Sequence, residues 1–300
     1  MNNKTRVGLI GVGLMGHGLG KNILKNGYSL SVLAHRNRKP VESLLGQGAT
    51  EAVSARELAE NCDVVILCVT GSPEVEDTLY REGGLLEGMH EGLIIADCST
   101  AEPDSTLKVS ADIESAGGRY VDTPLTRTPK EAEMGQLGVM TGGDEATLAE
   151  IRPILDCFAE TVIHAGDVGS AHKLKLINNF LSLGKAALVS EAVAAAAKGG
   201  VDMQALHDIV VAGGANSVMF ERLMGVALHD DDSALQFYIQ NAQKDLRYYT
   251  TMTQNQSSTS FIAESVHQTY MLANNLGHGD KYVPRMVDVM AEINNTKINK

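Results

Sequence analysis

The chain has 300 residues, which suits two domains better than one because single domains cluster at about 100–150 residues. Hydrophobic residues make up 44% and charged residues 21%, the composition of a soluble globular chain, excluding disorder, collagen and membrane spanning. Lys and Arg number 25 against 37 Asp and Glu, a formal charge of −12 that argues against nucleic-acid and anionic-membrane partners and leaves small anionic ligands open. Short β-rich runs at 7–13 (VGLIGVG), 28–34 (YSLSVLA), 63–69 (DVVILCV) and 92–100 (GLIIADCST) alternate with segments of helical periodicity. That alternation predicts βαβ units and a parallel sheet. Further strands are expected at 118–124, 137–143 and 161–166, with a helix at 146–155 before the last. From Lys173 to Lys198 one long, Ala-rich helical pattern runs to a C-cap at Gly199-Gly200. Everything beyond it has helical periodicity. The expectation is an α/β doubly wound sheet over residues 1–165, then an all-α domain over 166–300, joined by the long helix.

Cys62, Cys68, Cys98 and Cys157 show no CxxC pairing, and MNNKTR runs straight into the first strand with no signal peptide. The apolar stretch around Ala186–Ala197 is too short for a membrane span. These features predict a cytoplasmic address, where the sequons at Asn255 and Asn294 carry no weight. The nine histidines lack metal-ligand spacing, and His229-Asp230-Asp231-Asp232 is expected to be a solvated acidic loop, so no metal is expected.

Gly11, Gly13 and Gly16 form G-V-G-L-M-G directly after the first strand. In a Rossmann-type first turn such glycines allow the bend, let the backbone approach a pyrophosphate and bring helix close to strand, while the helix N-terminus receives the phosphates. An NAD site places Asp or Glu about 20 residues on, at the end of the second strand. Here that stretch is Ala34-His35-Arg36-Asn37-Arg38-Lys39, without a carboxylate. Arg36 and Arg38 suit a 2′-phosphate, so NADP(H) is favoured, with NAD(H) possible.

With these residues in view, the sequence resembles the β-hydroxyacid dehydrogenases, the family of 3-hydroxyisobutyrate dehydrogenase, tartronate semialdehyde reductase and sulfolactaldehyde reductase. Four ordered motifs carry the resemblance. They are GLIGVGLMGHGLGKNILKNG at 8–27, including Asn22, then DCSTAEPDST at 97–106, DTPLTRTPKEAEMGQL at 122–137 and GSAHKLKLINNF at 169–180. QKDLRYY at 243–249 resembles a further signature of the family's C-terminal domain. The resemblance implies that Lys175 is the catalytic acid/base and Asn179 a substrate anchor; four apart on a helix, they share one face. It also implies Thr126, Arg127, Thr128, Phe237 and Asp245 around the substrate, with Asp245 pairing to Lys175. Cofactor contacts are expected from Gly11, Gly13, Leu14, Met15, Gly16, His35, Arg36, Arg38, Val69, Thr70, Thr100 and Lys244.

The chain departs from the family at 126–128, where Thr-Arg-Thr stands in place of Ser-Gly-Gly. Arg127 puts a permanent charge and a fork of donors where the substrate acid is held, which points to a more highly charged anion such as a sulfonate. The alternative is that Arg127 turns outward to a salt bridge. Gly20 inside the first helix is destabilising unless close packing requires it. Ala171 replaces a Gly of the catalytic motif, and the tail GHGDKYVP at 277–284 lacks the family's usual late pattern. The expected function is hydride transfer between a nicotinamide cofactor and a small anionic β-hydroxyacid or its semialdehyde, in a homodimer or homotetramer. Imine reductases and non-catalytic nucleotide-binding relatives are the rivals, and retention of Lys175 argues against both.

Overall fold

The computed structural model describes residues 5–298, which divide into two compact units after Lys175. The first unit alternates strand and helix: β1 Arg6–Ile10, α1 Leu14–Lys25, β2 Ser29–Leu33, α2 Lys39–Leu45, β3 Thr50–Ala52, α3 Ala55–Asn61. It continues with β4 Val64–Leu67, α4 Ser72–Tyr80, β5 Ile94–Asp97, α5 Pro103–Ser115 and β6 Arg119–Asp122. It closes with β7 Leu125–Thr126, α6 Pro129–Met134, β8 Leu137–Gly142, α7 Glu145–Leu155 and β9 Ala159–Gly166. Strand order is β3-β2-β1-β4-β5-β6-β8-β7, with β9 paired to β8. The first six strands in that order are parallel, and β8 runs antiparallel to β6 and β7.

Each central strand is apolar on both faces, as a parallel sheet covered by helices requires. Val64 and Ile66 pack with Leu19 and Ile23 of α1 on one side, while Val65 and Leu67 pack with Leu58, Val75 and Val109 on the other. The strand order reverses between β1 and β4, and in such sheets ligands bind outside the carboxyl ends of the strands at that point. The sequence pattern missed β3 and β7 because three and two residues are too few to show a period. Gly20 is explained by packing: a Cβ there would lie 2.6 Å from Leu44 Cδ1.

Helix α8, Ser170–Lys198, carries the last residues of the sheet unit and the first of the helical unit. The expected boundary at 165/166 lies at the end of β9, whereas the compact units part inside α8. Gly200 closes α8 at φ +74, with Gly200 and Val201 N–H donating to Ala197 and Ala196, the bonds of a Schellman cap. The apolar stretch judged too short for a membrane belongs to a 29-residue helix that has the length and composition to span one. Within that helix Leu183, Ala186, Ala187 and Val193 are buried in the helical core.

The helical unit continues with α9 Met203–Val211, α10 Val218–His229, α11 Ile239–Asn255, α12 Phe261–Ala273 and α13 Met286–Ile293. Phe220, Leu223, Leu246, Tyr270 and Val287 fill its centre. Asp202 and Ser217 cap α9 and α10 by accepting from Ala205 and Phe220 N–H. Helix α11 starts later than its apolar pattern suggests. Residues 235–238 run outside it, with Phe237 O accepting from Val283 N–H and Ile239 N–H donating to Lys281 O.

Candidate active site

The first βα turn is built around steric necessity. Gly11 sits at φ +98, and a Cβ there would lie 2.2 Å from Cys68 O. A Cβ on Gly16 would lie 2.1 Å from Gly11 O. Gly13 is different: no atom lies within 4 Å of its Cβ position, and it occupies the N-cap of α1 with no side-chain cap. An open backbone beside an uncapped helix N-terminus fits a pyrophosphate. Leu14 is 54% exposed beside it, and Met15 is partly buried against the sheet core. Val69 N–H donates to Ser99 Oγ at 3.1 Å, tying the loop after β4 to the loop after β5. Thr70 and Thr100 stand in those two loops, so Val69, Thr70, Thr100 and the glycine turn lie at the carboxyl ends of β1, β4 and β5, whereas Lys244 belongs to α11 of the helical unit.

At the end of β2, His35, Arg36 and Arg38 are exposed. Arg38 does not present an open clamp. Its guanidinium makes a two-pronged pair with Glu51 of β3, at 3.0 and 2.9 Å, and lies 3.7 Å from Glu42. Arg38 correspondingly holds the Glu51 carboxyl below its ordinary range. The strand β3, which the sequence pattern does not reveal, supplies this carboxylate. Arg36 makes no hydrogen bond or ion pair among the described residues, leaving its fork available.

The expected acid-binding loop is turned to protein partners. Thr126 Oγ1 donates to Gly138 O at 3.2 Å across the β7–β8 pair. Thr128 opens α6 in a capping box, its N–H donating to Glu131 Oε2 at 3.0 Å and its hydroxyl to the same oxygen. Arg127 sits at φ +77 and donates through Nη1 to Glu160 and to Gln136 O. Its outward salt bridge is therefore the observed arrangement. The left-handed backbone explains why the family pattern has Gly at this position.

Lys175 is half-buried, and its Nζ donates to Leu125 O at 2.6 Å. Its place is fixed by the start of α8, where the fully buried Asp122 at the end of β6 accepts from Gly169 and His172 N–H at 2.9 and 2.8 Å. A carboxylate at a helix N-terminus also favours the helix dipole. Beside it, Asp97 accepts from Tyr120 Oη at 2.9 Å. Burial, reinforced by Asp97 and Asp122, pushes the Tyr120 phenol well up, so it remains a donor. Sequence reasoning passed over Asp122, His172 and Tyr120. Asp122 and His172 stand in the quoted motifs at 122–137 and 169–180, and Tyr120 lies just before the first of them.

In the helical unit, Asn179 is buried and donates to Asp245 Oδ2 at 2.6 Å. Lys244 Nζ lies 2.9 Å from Asp245 Oδ1 and 4.7 Å from the Tyr248 ring centre, and Arg247 lies 5.1 Å from the same centre. Asp245 is thus held within its own unit by Asn179 and Lys244. Phe237, expected against substrate, packs on the helical core because the 235–238 segment is pinned there. Burial pushes Cys62 and Cys157 up to about 11 and Cys68 to about 12, and all four thiols are free, which argues against thiolate chemistry.

Comparison with known proteins identifies the family. The family described as the NAD binding domain of 6-phosphogluconate dehydrogenase matches residues 6–166, and that described as NAD-binding of NADP-dependent 3-hydroxyisobutyrate dehydrogenase matches 169–290. Glyoxylate/succinic semialdehyde reductase 1 of Arabidopsis thaliana is 29% identical over 91% of this chain and 94% of its own. The 2-hydroxy-3-oxopropionate reductase of Escherichia coli K12 is 30% identical over 72% of this chain and 73% of its own. Among solved structures, a 3-hydroxyisobutyrate dehydrogenase from Salmonella typhimurium superposes with TM-score 0.85, at 26% identity, over 95% of this chain and 100% of its own.

Proposed function

This chain belongs to the β-hydroxyacid dehydrogenases, nicotinamide-dependent oxidoreductases of hydroxyacids, and on that premise we propose that it interconverts a small anionic semialdehyde and its β-hydroxyacid with NADP(H), Lys175 relaying the proton. The observation that carries the reading is the placement of Lys175. The amine sits on the helix that Asp122 anchors to the sheet unit, the unit whose strand ends form the dinucleotide cradle. When bound, the nicotinamide supplies hydride to the carbonyl carbon in reduction and accepts it in oxidation. Lys175 gives a proton to the carbonyl oxygen as charge gathers there, and takes it back from the hydroxyl in the reverse direction. Asn179, one turn further along α8, orients the substrate acid.

A sulfonate substrate is the second reading, and one observation favours it. Arg127 occupies a left-handed position that costs a non-glycine residue about 1–2 kcal/mol. Its Nε and Nη2 make no hydrogen bond among the described residues, so it retains donors for a highly charged anion. An apolar stripe of Ile177, Leu181 and Leu188 exposed on α8 supports a homodimer or homotetramer, which a monomer in light scattering would remove.

The decisive experiment is oxidation of NADPH and NADH against glyoxylate and the succinate, methylmalonate and tartronate semialdehydes, beside sulfolactaldehyde. Turnover of at least one is expected. Lys175→Ala is expected to lower kcat about 10²–10⁴-fold with NADPH binding retained. A fully active variant would remove Lys175 from the mechanism. For the cofactor, Arg36→Ala is expected to weaken NADPH about tenfold or more and leave NADH unchanged, since one charge-assisted bond is lost. Arg38→Ala should leave the ratio where it was; the opposite pattern reassigns the 2′-phosphate to Arg38.

A further inference from the structure

A chain of hydrogen bonds, none of it drawn on by the cofactor or substrate assignments, runs beneath the strand ends of the sheet unit. Glu102 N–H donates to Ser72 Oγ at 2.8 Å, and Thr106 Oγ1 donates to Glu102 O at 3.1 Å. Thr106 Oγ1 lies 2.7 Å from His172 Nδ1, and His172 N–H donates to Asp122. Ser72, Thr106, Asp122 and His172 are all buried. The Thr106 hydroxyl is thus shared between Glu102 O, His172 Nδ1 and the Tyr120 phenol, and its contact to His172 is shorter than that to Glu102 O, with donor and acceptor set by the imidazole tautomer.

The placement of the links gives the chain its meaning. Ser72 opens α4 two residues beyond Thr70, and Glu102 caps α5 two residues beyond Thr100. His172 lies in the first turn of α8, three residues before Lys175 and on the same face. The strap therefore joins both loops of the expected cofactor crevice to the helix that carries the amine. His172 Nε2 is buried and has no partner among the described residues, so the side chain's hydrogen bond is the one that Nδ1 makes with Thr106.

We propose that His172 is a positioning residue: its bond to Thr106 holds Lys175 in register with the loops that receive the nicotinamide. The proposal rests on the reading of Lys175 as proton relay. His172→Leu and Thr106→Val each break the strap, from α8 and from α5. His172→Asn restores it, because the short side-chain amide offers both a donor and an acceptor where Nδ1 stood. The experiment measures kcat, semialdehyde KM and NADPH Kd for these variants, with hydrogen exchange of the amides of residues 170–175.

Both strap-breaking variants are expected to lose about tenfold to a hundredfold in kcat, the scale of a small misplacement, with KM and Kd within about twofold. The double variant should be no worse than either alone, and His172→Asn should recover most of the loss. Exchange over 170–175 should quicken about tenfold in the broken variants. Unchanged kcat with only a lowered Tm, or His172→Asn as impaired as His172→Leu, overturns the proposal. Thr106→Val, nearly isosteric and on another helix, carries the test should His172→Leu fail to fold. A wild type that turns over none of the aldehydes refutes the functional reading, and the exchange measurement then decides the strap alone.

Discussion

The sheet unit and the helical unit prepare for chemistry in different ways. In the sheet unit the crevice is shaped by backbone: Gly11 bends where no side chain fits, Gly13 leaves an open approach, and the loops after β4 and β5 end together because their strands are in register. In the helical unit the expected functional groups are held by side chains of different helices, with Asn179 of α8 and Lys244 of α11 both on Asp245. Backbone constraint leaves a pattern in the sequence at fixed spacing. A pair of side chains on two helices leaves none, since any two helices can be brought together.

Two of the three motif glycines test the backbone side of that contrast with the largest expected effect. Gly11→Ala combines a φ of +98 with a Cβ 2.2 Å from a carbonyl oxygen, so about 3–5 kcal/mol of stability should be lost. Gly13→Ala meets nothing within 4 Å and should unfold at the wild-type denaturant concentration while NADPH binding weakens sharply. Urea unfolding and cofactor titration separate the two. Equal destabilisation by both would break the claim that one glycine shapes the turn and the other the ligand surface.

The same contrast explains what was legible in the sequence. The parallel strands, the long helix and the glycine turn were readable because period and spacing are local. So was Gly200 at the end of α8, whose positive φ is the reason for the residue. The Glu51 partner of Arg38 is not legible, because it lies on a three-residue strand without a pattern. Thr128 was assigned to substrate because a hydroxyl in that motif suggests anion binding, whereas Glu131 three residues later makes it a helix cap. That Thr-x-x-Glu spacing was visible and went unused. His172 and Asp122 stand inside two of the quoted motifs, but their contacts are not legible there, since their partners lie 66 and 47 residues away in sequence.

Arg127 is where backbone and side chain compete, and a smaller effect is expected. Arg127→Ala removes an exposed ion pair with Glu160, worth about 0–1 kcal/mol, and keeps the left-handed strain. Arg127→Gly removes the same pair and relieves the strain. The glycine variant should exceed the alanine variant in stability by about 1 kcal/mol in urea unfolding. Equal stabilities would mean that the loop, not the residue, absorbs the strain, and the contrast between units would lose its clearest single position.

The helical unit offers the smallest effect, and it is one of side-chain chemistry. His267 of α12 is buried, with Nε2 2.9 Å from Gln243 Nε2 of α11, so this nitrogen accepts from the amide and the ring proton sits on Nδ1. Burial pushes the imidazole below its ordinary value of 6.5, while Glu264 opposes and Arg247 adds to the lowering. The unfolded chain therefore takes up this proton more readily than the folded one. Its contribution to stability is complete above about pH 6.5 and is lost as pH falls from there through the depressed value. Protonation would also turn an N–H against the Gln243 amide, setting donor against donor between α11 and α12. Comparing urea midpoints at pH 7.5 and 5.5, the wild type should lose more stability than His267→Gln, by less than the Arg127 gap. A wild type and variant that fall in parallel would show that the α11–α12 contact does not depend on the charge state of this side chain, and that the helical unit, like the sheet unit, is held here by packing and backbone.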